Sequence, residues 1–235
     1  MNLVGAPSTS SKLSTTSSGH RFPTSETISQ QLDDHPAIQA FIVWLNQNSW
    51  PGLINPSSNE CPRFLPTAPL KRYFTQNNYH NLKILLRAVF PEEDRPPVPV
   101  NKVAEKCSKV FCTLLLIGKA RFIKQFLQYD HLQDGGNLPF DAKFPPNNFP
   151  SCPTDSDSSK FLRRFCNTQW LVCAPEIDFQ VDRIFKPDCI LPIIEEKELD
   201  GGGTSAKLYK IKLHPDYNLL PSLSDGQPVS ASPRH

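Results

Sequence analysis

Gly201-Gly202-Gly203 runs directly into Thr204-Ser205-Ala206-Lys207-Leu208-Tyr209-Lys210-Ile211-Lys212-Leu213, the stretch whose residue types and spacing come closest to chemistry. Glycine lacks a Cβ, leaves backbone N–H groups open and permits positive φ, which suits a loop folded over phosphate oxygens. The same residues also suit a plain hairpin loop. Behind the glycines, Tyr209, Ile211 and Leu213 alternate with Lys210 and Lys212. That period of two predicts a half-buried strand with one charged face. Ahead of them, Ile190-Leu191-Pro192-Ile193-Ile194 with Glu195 to Leu199 predicts the partner strand, with Pro192 near its start, where a missing N–H is tolerated.

Other reactive residues form no recognisable constellation. His20, His35, His80, His131, His214 and His235 show no metal-ligand spacing with cysteines or carboxylates. The seven cysteines (Cys61, Cys107, Cys112, Cys152, Cys166, Cys173, Cys189) contain no Cys-x-x-Cys pair and are expected as reduced, mostly core, thiols. Gly-x-Ser-x-Gly and His-Glu-x-x-His are both missing, and no Gly-Lys-Ser or Gly-Lys-Thr closes the glycine run as a Walker loop would. Glu195 and Glu196 are adjacent on a strand, so they face opposite ways and cannot form one dyad.

The elements that position the glycine run are mostly helical. Asp33-Asp34-His35-Pro36 reads as a helix start, followed by a stripe of Ile38, Phe41, Ile42 and Leu45 that fades from Asn46. The stretch from Gly52 to Pro66 reads as a loop. Thr67-Ala68-Pro69 is expected to cap a helix through Leu70, Tyr73 and Phe74, interrupted at Asn77-Asn78 before a stripe of Leu82, Leu85, Leu86 and Val89. Asn101 is expected to cap the strongest helix, through Val103, Cys107, Val110, Phe111, Leu114 and Leu115 up to Gly118. A further helix from Ala120 turns Phe122, Ile123, Phe126 and Leu127 inward and Lys119, Arg121 and Lys124 outward, as a solvated face rather than a nucleic-acid site. Residues 134–153 form a Pro-, Asn- and Phe-rich loop, either an interaction strip or a segment pinned by its rings. Asp155, Asp157 and Ser158 start a last helix through Phe165, and Gln169 to Cys173 reads as extended.

Composition narrows the class. With 38% hydrophobic residues, 15 Phe and 3 Trp, the 235-residue chain can build a core, and 24 Pro against 10 Gly points to helices joined by stiff connectors. A formal charge of +2 drives it neither to nucleic acid nor to anionic lipid, and no apolar run approaches the roughly 20 residues of a membrane span. Lacking a secretory h-region, the chain is assigned to cytoplasm or nucleus. Residues 1–33, Ser- and Thr-rich with Lys12 and Arg21 as their only cations, are expected as a disordered leader, a presequence being the weaker alternative. The predicted organisation is mainly α: a small helical bundle over 34–150, a helix and extended connector over 151–189, a hairpin over 190–220 and a disordered tail over 221–235.

Written as Gly201-x-Gly203-x-x-Ala206-x-Leu208, the loop resembles the protein-kinase nucleotide pattern G-x-G-x-x-G-x-V, with Ala for the third Gly and Leu for Val. With the helical region in front of it, the chain resembles the N-terminal region of fungal protein-kinase-like proteins, ending just after the glycine-rich loop. The resemblance implies that residues 190–220 form the first two strands of a truncated kinase N-lobe. It further implies ATP as cofactor, with Gly201, Gly203 and Ala206 over the phosphates and Leu208 against adenine. Asp200 stands where the family carries an apolar residue, and the leucine comes one place earlier, at Leu199. No lysine follows Lys212, and neither His-Arg-Asp nor Asp-Phe-Gly occurs, so no catalytic residue is assigned and the polypeptide is expected to be inactive. Two functions follow from these residues: the regulatory region and nucleotide loop of a Ser/Thr kinase-like protein, or a non-enzymatic helical module that binds a protein partner.

Overall fold

The computed structural model describes residues 35–54, 62–150, 158–178, 184–199 and 208–220. The leader 1–33, the tail 221–235, Gly201, Gly203 and Ala206, and the acids Asp33, Asp34, Asp155 and Asp157 lie outside the described residues. Among the described residues the fold is mainly α with two small antiparallel hairpins. Its helices are α1 (Pro36–Asn48), α2 (Thr67–Val89), α3 (Val100–Lys106), α4 (Ser108–Leu116), α5 (Ile123–Phe126) and α6 (Ser158–Thr168). Strands β1 (Trp50–Pro51) and β2 (Arg63–Phe64) form one hairpin, and β3 (Ile193–Leu199) and β4 (Leu208–Leu213) the other. Among the described residues no helix is long and apolar enough to cross a membrane.

Helix α1 has Pro36 in its first turn and His35 as its cap, whose Nδ1 accepts from the Ala37 N–H at 3.2 Å. It buries the predicted stripe. Helix α2 is broken where Asn77 and Asn78 stand: both are left-handed, as is Tyr79, and the Asn81 side chain donates across the gap to the Tyr73 carbonyl. Asparagine tolerates positive φ better than most residues, which is why the break falls there. The long helix expected from Asn101 is instead two, because Cys107 leaves helical geometry at φ −138°. Gly118 does end the second, at φ 66°. The helix expected from Ala120 is a 3-10 turn plus the single turn of α5, and Gln169–Leu171 is a 3-10 turn rather than extended.

Two aromatic clusters hold the bundle. Phe74 stands between Phe41 (5.8 Å) and Phe111 (5.9 Å), joining α1, α2 and α4. Phe126 stacks on Phe165 at 5.5 Å, and Phe140 and Phe149 from the Pro-rich loop close over both. Each such ring buried is worth about 1.5–3 kcal/mol. The loop is therefore pinned by its rings, although Phe144 remains exposed. Its anchor is the fully buried Gln169, which accepts from the Phe140 N–H and donates to the Phe140 carbonyl, both at 2.8 Å, while also reaching the Cys166 carbonyl. Among the outward cations, Arg121 pairs with Glu92 at 2.6 Å and Lys124 with Glu93 at 3.6 Å, so acids of the same protein occupy them.

Gln169→Leu keeps the volume but strands the Phe140 N–H and carbonyl in the core, and should cost about 2–4 kcal/mol in urea unfolding. A loss below about 0.5 kcal/mol would show that the clamp is dispensable.

Candidate functional site

The glycine pattern lies between two paired strands. Going down the hairpin from the end where residues 200–207 join it, the opposite pairs are Leu199 with Leu208, Glu198 with Tyr209, Lys197 with Lys210, Glu196 with Ile211 and Glu195 with Lys212. Opposite residues share a face, so Leu199, Lys197 and Glu195 stand with Leu208, Lys210 and Lys212, while Glu198 and Glu196 stand with Tyr209 and Ile211. Glu195 and Glu196 thus point opposite ways, as adjacency on a strand requires. Of the four sequence-predicted nucleotide residues, Leu208 is placed, directly opposite Leu199. The expectation of a half-buried strand fails: Tyr209 is 44% exposed and Ile211 47%, with Leu199 at 42% and Leu208 at 59% on the other face. Alternation shows only that two faces differ, and among the described residues no third layer covers either one.

The hairpin is fixed at its base. Leu53 and Leu191 exchange backbone hydrogen bonds at 3.0 and 2.8 Å. Gly52 allows this approach, because a Cβ there would lie 2.5 Å from Ile190 and 2.8 Å from the Leu191 carbonyl. Beyond β4, His214 and Tyr217 pack edge-on against the buried Phe64 at 5.6 and 5.5 Å, and Trp50 meets His214 at 5.2 Å. Within the segment read as a loop before Pro66, Gly52, Leu53 and Phe64 are therefore the hairpin's footing. Burial lowers the pKa of His214, whose Nδ1 accepts from the Asp216 N–H. Burial raises that of Tyr217, offset in part by its hydrogen bonding with Thr67, whose hydroxyl lies 3.5 Å from the phenol oxygen at the start of α2.

A cavity of about 390 Å³ opens beside this joint, with Lys109, Asp134, Trp170, Cys173, Cys189 and Tyr217 in its wall. Asp134 accepts from the Lys109 and Val110 N–H groups at 2.9 and 3.0 Å, and so caps α4 from 24 residues away in sequence. Burial raises its carboxyl to about 6, against the lowering effect of those amides. Burial also pushes the Cys107, Cys166 and Cys173 thiols up to about 12, which keeps them protonated and poorly nucleophilic at neutral pH. Among the described residues no three His, Cys, Asp or Glu gather where a metal could be held. Asp134 and Tyr217 escaped sequence reasoning because their partners are remote; an acid before Gly135-Gly136 signals only a turn.

No protein-family model, curated protein or solved structure matches the chain.

The Asp134 carboxyl is about 4 when unfolded and about 6 in the fold, so its contribution to stability is complete below about pH 4 and lost as pH rises through 6. In urea unfolding, the advantage of the native protein over Asp134→Asn should therefore grow as pH falls from 7 to 4.5. A difference that stays constant or shrinks would contradict this.

Proposed function

We propose that the chain is the regulatory region of a Ser/Thr protein-kinase-like protein, a helical body carrying the first hairpin of a nucleotide-binding lobe. The observation that supports this most is the pair Leu199–Leu208, which closes residues 200–207 between two hydrogen-bonded strands. A glycine pattern alone is weak; strand, glycine loop and strand in order is the context that gives it weight. In a complete lobe of that kind Gly201, Gly203 and Ala206 would cover the phosphates of ATP through backbone N–H groups, and Leu208 would contact adenine. Leu199, sharing its face, takes the apolar role that Asp200 cannot, which accommodates the one-residue offset from the kinase pattern. Such a protein works in cytoplasm or nucleus, and its helical body meets a protein partner.

Catalysis is not part of the proposal for these 235 residues. Phosphoryl transfer rests on a gripping lysine, a base and magnesium ligands acting together, and none of the sequences that supply them is present. A two-stranded hairpin open on both faces also cannot enclose adenine. Calorimetry should accordingly detect no Mg-ATP binding at millimolar nucleotide, and micromolar affinity would contradict the account of the open hairpin. The kinase ancestry is tested separately, by translating the genomic sequence beyond the codon for Leu220 in all frames. Ala-x-Lys, His-Arg-Asp and Asp-Phe-Gly in that order would support it, and their absence would leave the helical interaction module as the function.

A further inference from the structure

The two faces of the β3–β4 hairpin carry opposite charge. The Leu199–Leu208 face holds Lys197, Lys210, Lys212 and Glu195, a net +2, while the other holds Glu196 and Glu198 with Tyr209 and Ile211. On the basic face one charged pair is matched, Lys212 with Glu195 at 2.6 Å. The next sets Lys197 directly opposite Lys210, and among the described residues neither makes an ion pair. Like charges in that position are destabilising, and a two-stranded hairpin is marginal to begin with. The strand has the means to neutralise itself, since glutamates flank Lys197 on both sides, yet both point to the opposite face. Immediately beyond the lysines lies the exposed pair Leu199 and Leu208.

We propose that this face, Lys197 and Lys210 with Leu199 and Leu208, docks an acidic peptide segment that also carries an aliphatic side chain. Carboxylates seated between the two lysines replace their mutual repulsion with two charge-assisted contacts, and the aliphatic group covers the leucines. Nucleic acid fits less well, because the net charge of the chain is only +2 and the reverse of the hairpin is acidic. The proposal goes beyond the nucleotide reading and does not rest on it: the cationic pair lies outside the glycine pattern, and Leu199 and Leu208 are exposed whether or not a nucleotide is ever bound.

The test uses the full chain and a dye-labelled peptide, Glu-Glu-Leu-Glu-Glu-Leu-Glu, followed by fluorescence anisotropy. Lys197→Glu should weaken binding about ten-fold or more, while creating a matched pair with Lys210 that raises Tm by roughly 1–3 °C. A merely structural role for Lys197 would not move the two readouts in opposite directions. Lys102→Glu, on the remote surface of α3, should leave binding within about two-fold. Three results would overturn the proposal: no binding by the native chain, equal loss in both variants, or tighter binding of a dye-labelled oligonucleotide with the same sensitivity to Lys197→Glu.

Discussion

Phe64 is the contact on which the arrangement of the chain depends. Fully buried, it receives the rings of His214 and Tyr217 on one side, while its neighbour Leu65 donates to the Leu171 carbonyl at 2.6 Å. One short strand thus touches the start of α2, the turn after α6 and the segment following β4. Edge-to-face ring pairs contribute about 0.5–1.5 kcal/mol each beyond their burial. That is modest against a whole fold but large against a hairpin that is marginal alone. The placement of β3 and β4 on the helical body is inherited from this joint.

A second constraint runs through the body. Proline-rich connectors cut the helices short, so many N–H and carbonyl groups at their ends need partners. Distant side chains supply them. Arg63 donates to the Asn46 and Ser49 carbonyls at the end of α1, Arg121 to the Val89 carbonyl at the end of α2, and Arg164 to Ile117 after α4. Asp134 serves the start of α4, and Gln169 the loop that covers the Phe126–Phe165 stack. Each of these contacts ties a connector to a helix, which gives a small bundle with short elements a defined shape.

Local signals explain what was legible in the sequence. Ile38, Phe41, Ile42 and Leu45 announce α1, Asn77-Asn78 the break in α2, Gly118 the end of α4, and the alternation after Lys207 the strand β4. What escaped depends on remote partners. Nothing near Cys107 marks a helix break, because the group that satisfies the new helix start is Asp134. The Gln169–Leu171 segment carries strand-forming residues, yet Gln169 is held in a turn by its clamp on Phe140. At the candidate site the strand from Leu208 was readable, whereas its pairing with Leu199, the bare apolar faces and the Lys197–Lys210 opposition required the register.

The central claim, that the helical body holds the hairpin in place through the Phe64 joint, is tested most directly by hydrogen exchange in native protein and in Tyr217→Ala. If the joint supports the hairpin, amides of residues 193–199 and 208–213 lose protection in the variant together with those at the start of α2, while α6 keeps its own. Unchanged protection of both strands in Tyr217→Ala would show that the hairpin stands by itself, and would contradict the account.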